Sequence, residues 1–170
     1  MKVFKIRDTA EIPSYATQGS ACFDVKACLE IGSTLKCYTP FNKQVPIYPK
    51  IIGGSGQIGI TVPPAARVLI PTGLIFDIPK DHMMEMFIRS SVATKKGLTL
   101  VNSVGIIDSD YVEESHIIVH NVSDSLCTVE HGERLAQCRL TEVITSVFNE
   151  ITTRPVQKTD RDGGIGSTGV

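Results

Sequence analysis

The chain is cut into short β-rich runs by turn-forming residues. KVFKI, ACFDVKACLEI, ARVLIPTGLIFDIP, MMEMFI, LTLVNSVGIID, SHIIVHNVS, LCTVEHG and RLAQCRLTEVI follow one another, most of them strand-length and enriched in Val, Ile, Thr and Phe. Fourteen glycines and nine prolines supply the breaks. Only SSVATKK, residues 90 to 96, reads as a helical turn, and Gly97 ends it as a C-terminal glycine does. Strands that do not alternate with helices disfavour a parallel sheet. The expected class is all-β: an antiparallel sandwich or jelly roll, closed as a distorted barrel.

At 170 residues the chain suits one domain with a core of its own. A net charge of -1 provides no basic field to hold duplex nucleic acid. The start, MKVFKIRDTA, lacks the apolar run of a signal peptide, and no stretch is apolar enough to span a bilayer, so a soluble cytoplasmic protein is expected. Cys22, Cys28, Cys37, Cys127 and Cys138 are odd in number and show no C-x-x-C spacing, which reads as free thiols filling core space. Two stretches break the rhythm. Residues 34 to 60, with three prolines and GGSG, read as an inserted loop or hairpin on a β domain spanning 1 to 151. Residues 152 to 170 end in KTDRDGGIGSTGV, a tail too polar and Gly-rich to build a core, which is mobile unless it docks.

Three segments carry candidate chemistry. In FIRSSVATKKGL, Arg89, Ser90 and Ser91 offer a cation and two hydroxyls to a phosphate oxygen, or a serine simply caps the helix. In GGIGSTG the glycines let the backbone wrap a ligand and Ser167 and Thr168 supply hydroxyls, with Arg161 upstream; a Walker A order is absent. GIIDSDY places Asp108 one residue from Asp110 and ends on Tyr111. Those acids either close a hairpin or supply a base for water and oxygens for a hydrated metal, while the phenol suits a sugar or base ring. Asp24 and Gln137, taken alone, read as structural. His82, His116, His120 and His131 lack zinc spacing. His116 and His120 alternate with Ile117 and Val119 and so belong on the face opposite to them.

The order of five blocks is more specific than any one of them. SACFDVKA, RSSVATKKGL, NSVGIIDSDY, GERLAQCRL and RDGGIGSTG, spanning Ala21 to Gly169, resemble the five motifs of the homotrimeric dUTPase family (deoxyuridine 5'-triphosphate nucleotidohydrolases). The resemblance implies a dUTPase-like jelly roll with a C-terminal arm that closes over sites shared among three subunits. It implies Mg²⁺-dependent hydrolysis of dUTP to dUMP and pyrophosphate, which keeps uracil out of DNA and supplies dUMP for thymidylate synthesis. By position, Asp108 is the base that deprotonates water and Tyr111 packs on the deoxyribose, crowding out a 2′-hydroxyl. A hairpin around Asn102, Gly105 and Ile107, with the backbone near His116, reads uracil. Arg89, Ser90 and Ser91 hold phosphates, Gln137 fixes the α-phosphate, and Asp24 supports hydrated Mg²⁺ through water. Arg161, Ile165, Gly166, Ser167 and Thr168 lie in the closing arm.

Three positions and one spacer depart from the family pattern. Ile165 stands where an aromatic residue is usual, the spacer after Arg161 is one residue shorter, and Glu113 and Cys22 replace glycines. Two other readings remain at this point. One is a dUTP-binding regulator whose protein partner meets residues 34 to 60. The other is a dCTP deaminase, which needs a Glu near the position that Ile118 occupies.

Overall fold

The computed structural model describes residues 1–53, 56–160 and 164. In chain order the strands are β1 (Lys2–Lys5), β2 (Phe23–Lys26), β3 (Leu35–Tyr38), β4 (Gln44–Ile47), β5 (Lys50–Ile52), β6 (Gln57–Val62), β7 (Arg67–Pro71), β8 (Leu74–Asp77), β9 (His82–Ile88), β10 (Leu98–Leu100), β11 (Gly105–Ile107), β12 (His116–Asn121), β13 (Cys127–Glu130) and β14 (Arg134–Glu142). One helix among the described residues, α1 (Ser90–Lys96), joins β9 to β10. Five strands form a sheet in the order β10-β12-β7-β3-β4 and four form another, β11-β9-β14-β2; β13-β6-β5 and β1-β8 complete the set. Every pairing among the described strands is antiparallel. The chain is therefore all-β and jelly-roll-like, as its punctuation predicts.

Period-two alternation decides which side of each strand is buried. On β12, Ile117 and Val119 point to the core while His116, Ile118 and His120 stand on the other face. On β2, Phe23 and Val25 are buried and Asp24 faces out; on β14, Ala136 and Cys138 are buried and Gln137 lies between them. Those inward rows meet Val68, Ile70, Met84 and Met86 in one hydrophobic cluster. Four of the five cysteines are buried and none forms a disulfide. Burial holds the Cys138 thiol far above its ordinary titration range, which keeps it inert.

Several sequence expectations change in detail. The run LTLVNSVGIID is not one strand, and the stretch around Asn102 is not a hairpin: β10 pairs with β12, whereas β11 pairs with β9. Residues 101–104 thus carry the chain from one sheet to the other, with Ser103 in the left-handed region at φ 61°. Neither Ser90 nor Ser91 caps α1. Arg89 occupies that place without a side-chain cap, and Gly97 closes the far end at φ 62°. Within 34 to 60, Leu35 and Cys37 on β3 and Ile60 on β6 are core residues. The exposed Phe41, Tyr48 and Ile51 lie on β5 and on the turns that flank β4.

Gly73, between β7 and β8, illustrates how tightly this fold is drawn. It adopts φ +69°, and an added Cβ would sit 2.6 Å from the Cβ of Ala10 and 2.9 Å from the Cys28 Sγ. Its carbonyl accepts from the Ile6 N–H at 2.9 Å. Gly73→Ala combines a strained φ with overpacking and should cost about 3 kcal/mol of stability, read from the shift of the urea unfolding midpoint.

Candidate functional site

The corner between β10 and β11 opens a cavity of about 220 Å³. Asn102, Gly105, Ile106, Ile107 and Asp108 form one wall, and Leu69, His116 and Ile118 of the five-stranded sheet form the other. Met86 and Leu100 close its depth, while Tyr111 and Ser115 stand at its side. Gly105 packs so closely that an added Cβ would meet the Met86 Cβ at 3.2 Å. A strand edge this near to the cavity brings backbone N–H and C=O groups within reach of a flat polar ring. Such groups have a fixed polarity and discriminate between rings whose donors and acceptors are exchanged.

Asp108 and Tyr111 belong to a run of exposed residues, 108–113, between the buried Ile107 and the half-buried Glu114. The Tyr111 N–H donates to the Asp108 carbonyl at 3.2 Å. Its hydroxyl donates to the Glu114 carbonyl at 3.0 Å. Tyr111 is 42% exposed and lines the cavity. Ser115 is 2% exposed, and its hydroxyl has no hydrogen-bond partner among the described residues.

A second cluster sits on the outward side of the four-stranded sheet. Gln137 lies opposite Asp24 on β2 and opposite Phe87 on β9, so the three share one row. One Asp24 oxygen meets the Arg89 Nε at 3.0 Å and the other meets an Arg134 Nη at 3.1 Å. Arg89 is itself held by a hydrogen bond from its N–H to the Leu135 carbonyl, 3.0 Å. Ser90 and Ser91 open α1 beside it and are exposed. A cavity of about 240 Å³ borders the cluster, lined by Asp24, Lys26, Arg134 and Ser14. Glu11 also lines this cavity and pairs with Lys26, so with Arg89 and Arg134 three cations face two acids, a slight positive excess that favours a phosphate.

The expected residues therefore fall into two groups. Asn102, Gly105, Ile107, Asp108, Tyr111 and His116 line the first cavity. Asp24, Arg89, Ser90, Ser91 and Gln137 gather in the second cluster. On a single chain the two do not meet. Strand β2 is three places from β11 in its sheet, which at ~4.8 Å a step is on the order of 15 Å. Arg161, Ile165, Gly166, Ser167 and Thr168 lie outside the described residues. Sequence reading missed Arg134, Leu69 and Ser115. Arg134 was legible only through the register that sets β14 against β2, which no local pattern reveals.

Comparisons with known proteins agree on one family. A sequence model described as dUTPase matches residues 55–169. The deoxyuridine 5'-triphosphate nucleotidohydrolase of Rhizobium etli is 34% identical over 161 residues, covering 94% of this chain and 86% of that protein. The enzyme of the same name from Finegoldia magna is 38% identical over 143 residues, covering 79% and 98%. Among solved structures, a dUTPase from Streptococcus mutans superposes with a TM-score of 0.66 at 24% identity, over 87% of this chain and all of that one. The Staphylococcus bacteriophage 80alpha dUTPase with dUPNHPP gives 0.72 at 18% identity, over 99% and 98%.

Proposed function

Because the chain belongs to the dUTPase family, and is by that membership a dUTP diphosphatase, we propose that it cleaves dUTP by attack of water on the α-phosphorus. One observation carries the reading: Asp108 and Tyr111 share a single cavity with the backbone edge at Gly105 and with His116. Uracil enters between Gly105 and Ile118 and pairs with backbone groups of the β11 edge and of His116. Cytosine would leave those groups unpaired, and the narrow opening excludes a 5-methyl group. The deoxyribose packs on the Tyr111 ring, which leaves no room for a 2′-hydroxyl.

Asp108 accepts the proton of the attacking water. The water oxygen bonds to the α-phosphorus in line with the α–β bridging oxygen, the bond from phosphorus to that bridging oxygen breaks, and pyrophosphate departs carrying it. Arg89, Ser90, Ser91 and Gln137 hold the phosphate chain in this alignment. Mg²⁺ fits this donor set as a hydrated ion alone. Each Asp24 oxygen already faces a guanidinium, and no group of three or more His, Cys, Asp or Glu side chains among the described residues is arranged to hold a metal. Asp24 would hold the ion through water, and the bound ion would offset the triphosphate charge.

A site divided on one chain is completed by another copy. We assign the first cavity to one subunit of a homotrimer and the Arg89 cluster to its neighbour, with Arg161, Ile165, Gly166, Ser167 and Thr168 of the arm closing over both. The segment after β14 supports exchange between copies. Ile144, Val147 and Phe148 are 93%, 86% and 95% exposed, a run of apolar surface that a lone chain leaves in water.

The test is pyrophosphate release from dUTP, dCTP, dTTP and UTP with Mg²⁺. Turnover of dUTP should exceed that of each rival by at least about 10³-fold in kcat/KM. Comparable rates on all four, or release of ammonia from dCTP, would sink the reading.

A further inference from the structure

We infer that an Arg7–Glu114 ion pair, joining the N-terminal segment to the substrate loop, is the anchor that sets where Tyr111 stands and hence how strictly ribose is refused. The inference rests on the reading of Tyr111 as the sugar platform.

The loop from 108 to 113 has no buried residue, so its own packing does not place it. What fixes it is the residue that ends it. The Glu114 carbonyl accepts the Tyr111 hydroxyl at 3.0 Å and lies 3.0 Å from the His116 Nδ1. Tyr111 and His116, both lining the cavity, thus converge on one oxygen. Wherever Glu114 goes, they go too.

Glu114 itself is tied from three directions. Its carboxylate takes both terminal nitrogens of Arg7, the Nη2 contact at 3.1 Å. One oxygen also accepts the Gly73 N–H at 2.7 Å. The next residue is stapled beside it: the Ser115 N–H donates to the Leu74 carbonyl at 2.9 Å, and the Thr72 hydroxyl donates to the Ser115 carbonyl at 2.6 Å. The Glu114 side chain is only 13% exposed and that of Arg7 24%, so water competes weakly for the pair. Hydrogen bonding to Glu114 raises the Arg7 pKa, and Glu30 adds a second carboxylate 3.6 Å from its Nε. Arg7 therefore stays charged.

Neither Arg7 nor Glu114 lines the cavity; they position, and do not catalyse. A stacking platform that refuses one hydroxyl depends on placement to a fraction of an ångström. Loosening it should hurt discrimination before it hurts chemistry, because Asp108, although its carbonyl accepts the Tyr111 N–H, directly follows the buried Ile107 of β11, which holds it from the other side.

Glu114→Gln and Arg7→Met, alone and combined, test this in the full chain. Two measurements are made: amide hydrogen exchange of residues 108–113 without nucleotide, and the ratio of kcat/KM for dUTP over UTP. Each single variant should speed exchange in that segment and lower the ratio about tenfold, mainly through a gain in kcat/KM for UTP. The double variant should be no worse than either single one, since the two residues act as a unit. Arg7→Lys, which keeps a charge and folds with least risk, should restore part of the ratio. Unchanged exchange at 108–113 overturns the anchor. Faster exchange with an unchanged ratio overturns its role in refusing ribose. Wild-type protein that does not turn over dUTP would defeat the underlying reading instead, and exchange alone would then decide whether the pair anchors the loop.

Discussion

Asp108→Asn should leave dUTP bound and slow pyrophosphate release by about 10³-fold. The amide matches the carboxylate in size, and Asp108 is exposed at the rim of its cavity, so neither packing nor folding is at stake. What is lost is the one property an amide lacks, a lone pair basic enough to take a proton from water as it attacks. The effect should therefore fall on kcat, with KM nearly unchanged. Calorimetric titration with an imido analogue of dUTP separates the two, since binding needs no proton transfer. A variant that keeps its kcat would transfer the role of base to another carboxylate, and Asp110, two residues on, would be the one to replace next.

Arg89→Ala should cost about 10²-fold in kcat/KM, for two reasons that add. The cation proposed to meet the triphosphate disappears, and Asp24 loses one of the two guanidinium partners that hold its carboxylate in place. The more informative experiment mixes this protein with Asp108→Asn. Each is nearly inactive alone. If subunits share sites, unfolding and refolding the two together creates assemblies in which an intact Asp108 loop faces an intact Arg89 cluster, and turnover returns in the fraction set by random assortment. If every site is built within one chain, no mixture recovers anything. Either result is read from the same pyrophosphate assay, against equal amounts of each variant refolded separately.

Sequence reading recovered the class of fold and named residues that the structure gathers around two cavities, and the reasons are physical. Strand alternation exposes Asp24 between Phe23 and Val25, and Gln137 between Ala136 and Cys138, so residues on the polar face declare themselves. The helical turn at 90 to 96 was legible because Gly97 marks its end. What stayed hidden depends on which strand pairs with which. Nothing local says that β10 and β11, separated by a few residues, join different sheets. Nor does a spacing of more than a hundred residues announce that Arg7 meets Glu114, or that Arg134 meets Asp24. Long-range pairing is written in the sum of all contacts, and single-residue patterns do not contain it. The stretch 34 to 60 shows the converse limit: its prolines and glycines advertise turns, while the core positions Leu35, Cys37 and Ile60 among them are few and scattered.

The corner at residues 101–104 has one more consequence. Because β10 and β11 belong to different sheets, the opposing walls of the cavity belong to different sheets as well: Gly105 and Ile107 on one side, Leu69 and Ile118 on the other. The width of the slot is then the gap between two layers, measured at their seam, and the molecule carries a caliper for its own interior. A buried side chain gaining or losing a methylene far from any substrate would reset that gauge. If the slot reads uracil as proposed, selection to keep out a single methyl group on a pyrimidine is also selection on the volume of the hydrophobic core.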